Sequence, residues 1–271
     1  MTNPIVVVGG DAIAAGGADE LRRVAVERRV GMLNTFAAKG LFAWNDPAHL
    51  GTIGLQERDL ELAGIALKEV LLVGVPEREI SKRWLASVYA SWHDVRADEL
   101  DALLTTNVVA TPRPPLYWAL ASVCGPLYGS DAAPLNPARA AADLAAWLPP
   151  GAVVRARADA AGFWLARTFP TRELGSVRFD DTRFDDTRFN DARFNDTAAA
   201  TLHVVSDLTY VDGLDAVIEH WTWDGPSLTS SQRLGRLSKA IARGGRAVLP
   251  LAVDWAALKG LYEVAGPPLW H

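Results

Sequence analysis

The sequence predicts an α/β fold of two doubly wound domains with mainly parallel sheets. Short apolar runs rich in β-branched residues alternate with helical stretches, and residues 4–10 and 70–75 show this most clearly. Strands that are apolar on both faces belong to parallel sheets covered by helices on each side. A second series of such elements follows a proline-rich segment at residues 110–115, and 271 residues are enough for two cores.

The first domain is assigned to residues 1–110. Its opening strand ends in two glycines, and helical and extended stretches then alternate. The expected elements are a strand at 4–10, a helix at 18–29, a strand at 30–35, a helix at 56–67 and a strand at 70–75. This order is typical of a sheet wound with crossover helices.

A linker and a second domain follow. Residues 111–135 combine the proline-rich stretch with a helix, and residues 136–271 form the second domain. Asn136 before Pro137 predicts a helix start, because asparagine caps helices well and proline suits the first helical position. Further strands are expected at 152–156, 201–206, 216–220 and 246–253, and helices at 138–148, 161–167 and 231–242.

Residues 178–197 contain four copies of a five-residue repeat that begins Arg-Phe-Asp-Asp-Thr. A period of five keeps side chains on one face of neither a helix nor a strand. The repeat is predicted to be a solvated insertion, and a fragment of a four-sided β-coil is the alternative. Calcium binding by its aspartates is a third alternative, which the arginine in every copy disfavours: Asp180, Asp181, Asp185 and Asp186.

Composition limits the partners and the compartment. A net charge of −5 gives no general attraction to nucleic acid or to anionic membranes. No apolar run approaches the ~20 residues that span a bilayer, and no leader pattern is present at the start, so a cytoplasmic protein is expected. The single cysteine, Cys124, lies in an apolar segment and is expected to be a core thiol.

Ten tryptophans are many for this length. Large aromatic side chains stabilise cores and are also enriched at subunit interfaces. We expect the following tryptophans to lie in the cores of the domains more readily than at a subunit interface: Trp84, Trp92, Trp221, Trp223 and Trp270.

Five segments, residues 4–11, 18–21, 34–40, 49–59 and 70–75, resemble the central domain of thiamine-diphosphate enzymes, with the acetolactate synthase branch as the nearest. Residues 137–167 resemble the opening of the diphosphate-binding domain of the same family. The resemblance implies carbon–carbon bond chemistry on 2-keto acids. Full-length members also carry a pyrimidine-binding domain whose glutamate activates the coenzyme, and from the resemblance this sequence is expected to begin after that domain.

The resemblance implies a magnesium and diphosphate site at the strand end 204–208, where Asp207 is the candidate metal ligand. Family members place a glycine on each side of this aspartate, whereas Ser206 and Leu208 stand here. Losing both glycines removes the close backbone approach that a diphosphate needs. No asparagine follows Asn195 to act as the second metal ligand. The diphosphate domain is therefore expected to be degenerate and the protein a pseudoenzyme.

A second candidate site follows the first strand. Gly9, Gly10 and Asp11 form either a tight turn or a phosphate contact, and Lys39 and Gly40 fall in a neighbouring loop. Some family members hold a flavin or an adenine nucleotide at this edge of the sheet, so the resemblance implies such a ligand here. Thiamine diphosphate with magnesium is implied by the family alone.

Three functions remain open at this stage. The first is a non-catalytic nucleotide-binding or assembly protein, forming a homo-oligomer or a hetero-oligomer with a thiamine-diphosphate enzyme chain. The second is a subunit of a split 2-keto acid lyase or synthase, completed by a separately encoded pyrimidine domain. The third is unrelated chemistry on the same scaffold, because a fold does not confer an activity.

Overall fold

The computed structural model describes residues 4–105, 109–180, 200–211 and 213–269. The described chain divides into two compact units. The first contains residues up to 121 together with 171–174 and 262–269, and the second contains 122–170 and 175–261. Each unit is built on a five-stranded parallel sheet with helices, which confirms the predicted two-domain α/β fold.

The sheet of the first unit has the order β3-β2-β1-β4-β5, and all its strand pairs are parallel. Its strands are β1 (Ile5–Val8), β2 (Met32–Thr35), β3 (His49–Ile53), β4 (Glu69–Val73) and β5 (Ser91–Val95). The strand order reverses between β1 and β4. Open α/β sheets bind ligands beyond the carboxyl ends of the strands at such a switch point.

Short helices connect these strands. They are α1 (Gly10–Ala14), α2 (Ala18–Arg28), α3 (Asp59–Leu62), α4 (Lys82–Ser87) and α5 (Leu100–Leu103), and α6 (Pro115–Gly129) follows them. The apolar residues of α2 at Leu21, Val24 and Ala25 are buried, as expected for an amphipathic helix against a sheet. Ser81 caps α4 by accepting a hydrogen bond from the backbone N–H of Trp84.

The helix predicted at 56–67 is wrong for most of its length, since only Asp59–Leu62 is helical. The Asp59 carboxylate accepts hydrogen bonds from the backbone N–H groups of Leu55 and Gln56, at 2.8 and 3.0 Å, and so begins the helix late. Gly64, with φ of +74°, lies just beyond the helix end. A left-handed glycine is a common way for a helix to stop.

The sheet of the second unit has the order β10-β9-β8-β6-β7 and is also parallel throughout. Its strands are β6 (Val153–Arg157), β7 (Val177–Asp180), β8 (Thr201–Val205), β9 (Val217–Thr222) and β10 (Ala247–Ala252). Its helices are α7 (Pro137–Trp147), α8 (Ala160–Thr168) and α9 (Ser230–Arg243), and α10 (Lys259–Ala265) follows. The predicted cap of α7 is confirmed, because the Asn136 side chain accepts from the backbone N–H of Arg139 at 2.8 Å.

The first residues of the repeat, Arg178 to Asp180, belong to β7. Its other copies lie outside the described residues, and so do the aspartates at 181, 185 and 186.

A buried ion pair ties α9 to the sheet of the second unit. Arg233 and Glu219 are each 1% exposed, and the guanidinium donates two hydrogen bonds of 2.6 Å to the two carboxylate oxygens. A further Arg233 nitrogen, Nη1, donates to the carbonyl of Ala140 on α7 at 2.8 Å. The indole N–H of Trp221 donates to Glu219 at 3.0 Å. The pair is therefore fully hydrogen-bonded, which a buried charge requires.

The tryptophans divide between core and surface. Trp221 is buried, as are most of its neighbours on β9, whereas Trp223 lies beyond the strand end and is 72% exposed. Trp255 lies between them, with its ring 6.3 Å from each. Trp84 and Trp92 pack against the core of the first unit, and Trp270 is outside the described residues. Cys124 is buried, as expected.

Among the described residues, no helix is both long enough and apolar enough to cross a membrane.

Candidate functional site

At the switch point of the first sheet, the segment after β1 is hydrogen-bonded through its backbone to the segment at the end of β4. The N–H of Gly9 donates to the carbonyl of Val73 at 3.0 Å, and the N–H of Asp11 donates to that of Gly74 at 3.1 Å. A Cβ atom on Gly9 would lie only 2.3 Å from the Gly74 oxygen. The absence of a side chain at Gly9 thus permits the loop after β4 to pack directly on the loop after β1.

A buried carboxylate lies beside this contact. Glu79, from the loop after β4, is 5% exposed. Its Oε2 accepts from the backbone N–H of Gly10 at 3.0 Å and from the hydroxyl of Thr35 at 2.6 Å. Its Oε1 is buried with no hydrogen-bond partner among the described residues. Burial raises the pKa of Glu79 to about 7, against the opposing effect of its hydrogen bonds to Thr35 and Gly10.

The other predicted residues of this edge lie on α1 and in the loop after β2. Asp11 forms an ion pair of 3.0 Å with Arg78. Lys39 is 7% exposed and follows the short 3₁₀ helix that continues β2. Gly40 has φ of +92°, and a Cβ atom there would lie 2.7 Å from the carbonyl oxygen of Glu173. The assignment of Gly9, Gly10, Asp11, Lys39 and Gly40 to a cofactor site stays a prediction.

An open cleft of about 420 Å³ lies next to these loops, between the α1–α2 connection and the ends of β4 and β5. Its lining includes Asp11, Gly16, Gly17, Gly74, Arg96 and Asp98. Asp11 is paired with Arg78, and Asp98 accepts two hydrogen bonds from Arg96. Backbone groups and carboxylates of this kind suit a polar ligand with hydroxyl groups better than a highly anionic one.

The second sheet shows a comparable arrangement at the carboxyl end of β8. Asp159 caps α8, and its Oδ1 accepts from the N–H of Gly162 at 2.8 Å. Its Oδ2 accepts from the N–H of Ser206 at 2.6 Å and from that of Asp207 at 3.3 Å. The Asp159 carboxylate therefore accepts hydrogen bonds from the N-terminus of α8 and from the end of β8. The family resemblance implies a diphosphate at this same strand end.

Asp207, the predicted metal ligand, serves as a local cap. Its Oδ1 accepts from the N–H of Thr209 at 2.9 Å and from the Thr209 hydroxyl at 2.8 Å. These hydrogen bonds hold the pKa of Asp207 below its usual value. In the part of the chain that the structure describes, no group of three metal-binding side chains occurs. Magnesium prefers an octahedral set of oxygen ligands. Asp207 is engaged with Thr209, the strand-end amides are engaged with Asp159, and no asparagine follows Asn195, so these residues do not fit thiamine diphosphate with Mg²⁺.

Sequence reasoning missed both internal carboxylates. Asp159 could have been found, since an aspartate directly before the helical stretch at 160–167 is a common N-cap signal. Glu79 lies in a polar loop and carries no local signal, because only the fold brings it to Gly10 and Thr35.

Residues 1–76 match the family model of the thiamine pyrophosphate enzyme central domain. This match confirms the predicted likeness of residues 1–76 to the central domain of thiamine-diphosphate enzymes, while the assignment to the acetolactate synthase branch stays a prediction. A solved structure from Mycobacterium smegmatis, described as a proposed thiamin diphosphate-dependent enzyme, has a TM-score of 0.60 at 13% identity. The match covers 93% of this chain but 62% of that one, and at this identity it shows the fold alone. No protein of curated function matches the sequence significantly.

Proposed function

We propose that this chain is a non-catalytic relative of the thiamine-diphosphate enzymes that acts as an assembly protein. One observation carries the proposal: in each sheet, backbone amides at the carboxyl end donate to a carboxylate of the chain itself. The carboxylate is Glu79 in the first sheet and Asp159 in the second. Both positions lie where open α/β sheets receive their ligands.

The charge of these groups disfavours a phosphate ligand. A diphosphate approaching β8 would meet the Asp159 carboxylate and would lose the amides that Asp159 already occupies. Two like charges about 4 Å apart repel by roughly 4 kcal/mol at an effective dielectric constant of 20. No asparagine follows Asn195 to act as a second metal ligand beside Asp207, so a metal ion is not expected to compensate this repulsion.

The assembly role predicts that the chain associates, either with itself or with an intact thiamine-diphosphate enzyme. Sedimentation velocity of the purified chain, alone and mixed with such an enzyme, tests this. We expect the sedimentation coefficient of a dimer or larger complex in at least one of the two samples. If the chain sediments as a monomer both alone and in the mixture, across micromolar concentrations, the assembly role is contradicted.

The cleft between the α1–α2 connection and the ends of β4 and β5 supports a second candidate function, the binding of an adenine nucleotide or a flavin. A ligand at 100 times its dissociation constant stabilises the folded protein by about 2.7 kcal/mol. Because carboxylates line the cleft, the uncharged parts of these ligands are the suitable probes, and thermal unfolding with adenosine and with riboflavin should show a saturable rise in Tm. Ala15 is exposed at the cleft, so Ala15→Phe should fill it and abolish the rise. An equal rise in the variant would place the ligand elsewhere.

A further inference from the structure

Three basic side chains from separate segments lie near the start of β3, the edge strand of the first unit, where the charges of two of them act on the third. They are Lys39 in the loop after β2, His49 at the start of β3, and Arg113 in the segment before α6. The carbonyl oxygen of Asp46 joins two of the segments, because it accepts from the N–H of His49 at 2.9 Å and from Nη2 of Arg113 at 3.0 Å.

Arg113 is held in a fixed orientation. Its Nη2 also donates to the carbonyl of Asn45 at 3.0 Å, and its guanidinium lies 4.0 Å from the ring centroid of Tyr117. Upstream, the hydroxyl of Thr111 accepts from the N–H of Gly31 at 3.0 Å, which fixes this segment at the amino ends of the strands. A guanidinium fixed in this way keeps its remaining donors in one place at little entropic cost.

Two nitrogen atoms of the cluster have no hydrogen-bond partner within the described part of the chain. They are Nε of Arg113 and Nδ1 of His49, and both atoms are buried. Buried polar atoms of side chains are paired in the large majority of cases. An unpaired guanidinium N–H beside an unpaired imidazole nitrogen therefore requires an explanation.

The electrostatic environment indicates which charge a ligand of these atoms would carry. Burial, and after it the charges of Lys39 and Arg113, lower the pKa of His49 to about 3. Among the described residues, no carboxylate charge opposes this shift. The nearest acidic residue in sequence, Asp46, accepts the N–H of Ala48 through its Oδ1 at 2.8 Å. The cluster thus provides positive potential together with a neutral imidazole, which can donate from Nδ1 in one tautomer.

We propose that Lys39, His49 and Arg113 form a binding site for an oxyanion, the carboxylate or phosphate group of a small ligand. Arg113 supplies the Nε–H donor, His49 supplies a second donor, and Lys39 supplies charge. This site lies at the edge strand β3 of the first unit and shares no residue with the hydrogen bonds that Glu79 and Asp159 accept. The inference therefore stands whether or not the assembly role is correct.

Thermal unfolding of the full chain in inorganic phosphate and in acetate, each matched in ionic strength with sodium chloride, tests the proposal. We expect a saturable rise in Tm with at least one of the two anions, and the stronger response identifies the preferred oxyanion. Arg113→Gln should weaken the apparent affinity about tenfold or more, since a charge-assisted hydrogen bond is lost. Arg83→Gln, which removes an exposed arginine of the same unit, is the matched control and should keep the full response.

A second measurement needs no variant. The ring proton resonances of His49 in the unaltered protein should shift with the same saturation curve, because the bound anion contacts the imidazole. The proposal is wrong if neither anion gives a saturable effect beyond sodium chloride. The proposal would also be contradicted if the anion raised the Tm of Arg113→Gln and of Arg83→Gln equally and left the His49 resonances unchanged.

Discussion

Replacing Arg233 with methionine is expected to lower the free energy of unfolding by about 3–5 kcal/mol, because it leaves a buried carboxylate without its partner. Glu219 is as buried as Arg233, and the two hydrogen bonds of 2.6 Å between them would be lost together. The carbonyl of Ala140 would lose its donor too. Urea-induced unfolding, followed by tryptophan fluorescence, gives the difference directly.

Two variants separate the ion pair from the general effect of changing α9. Lys239→Met removes an exposed cation from the same helix and should change the free energy of unfolding by less than about 0.5 kcal/mol. The double variant Arg233→Met with Glu219→Leu should recover most of the loss, since no unpaired charge remains. A loss of under 1 kcal/mol in Arg233→Met alone would show that the pair is not buried as described.

Glu79→Gln is expected to be more stable than the unaltered protein above pH 7 and to lack the part of the pH dependence that Glu79 contributes. The pKa of Glu79 is raised by burial to about 7 in the folded protein, from 4.5 in the unfolded chain. The folded state therefore holds a proton that the unfolded state releases between these values. The stability that the protonated carboxyl contributes is complete below pH 4.5 and is lost as the pH rises through 7, by about 3 kcal/mol.

Glutamine keeps an oxygen that can accept from Gly10 and Thr35, and it carries no charge to desolvate. Urea unfolding at intervals from pH 5 to pH 8 should show the stability of the unaltered protein falling relative to that of the variant. Glu57→Gln, at an exposed position of the same unit, should leave the pH profile unchanged. Parallel profiles for Glu79→Gln and the unaltered protein would show that Glu79 titrates normally.

Sequence patterns predicted the strands that are buried on both faces. β1 and β4 are continuous apolar runs, and such runs are a reliable sign of a central parallel strand. β5 has the sequence Ser-Trp-His-Asp-Val and lies at an edge with mostly exposed residues, so its pattern carries no such sign. β3 was also missed as a strand, because its glycine and histidine are unusual in strands judged by composition.

The candidate sites were harder to predict, because charges are placed by the fold and not by local periodicity. The glycines after β1 suggested a phosphate contact, yet Gly9 provides room for the backbone of Gly74. The carboxylate that occupies the neighbouring amide is Glu79, nearly seventy residues further along the chain. The expected degeneracy at Asp207 was based on missing glycines, and the structure adds Asp159 as the group that takes up the amides there.

The proposal of a non-catalytic protein is tested most directly by isothermal titration of the full chain with thiamine diphosphate in the presence of Mg²⁺. Because Asp159 occupies the amides at the end of β8, we predict no saturable heat at millimolar coenzyme. A one-to-one binding curve that requires Mg²⁺ and disappears in Asp207→Asn would contradict the proposal. Binding that arises only after a separately encoded pyrimidine domain is added would favour the split-enzyme alternative.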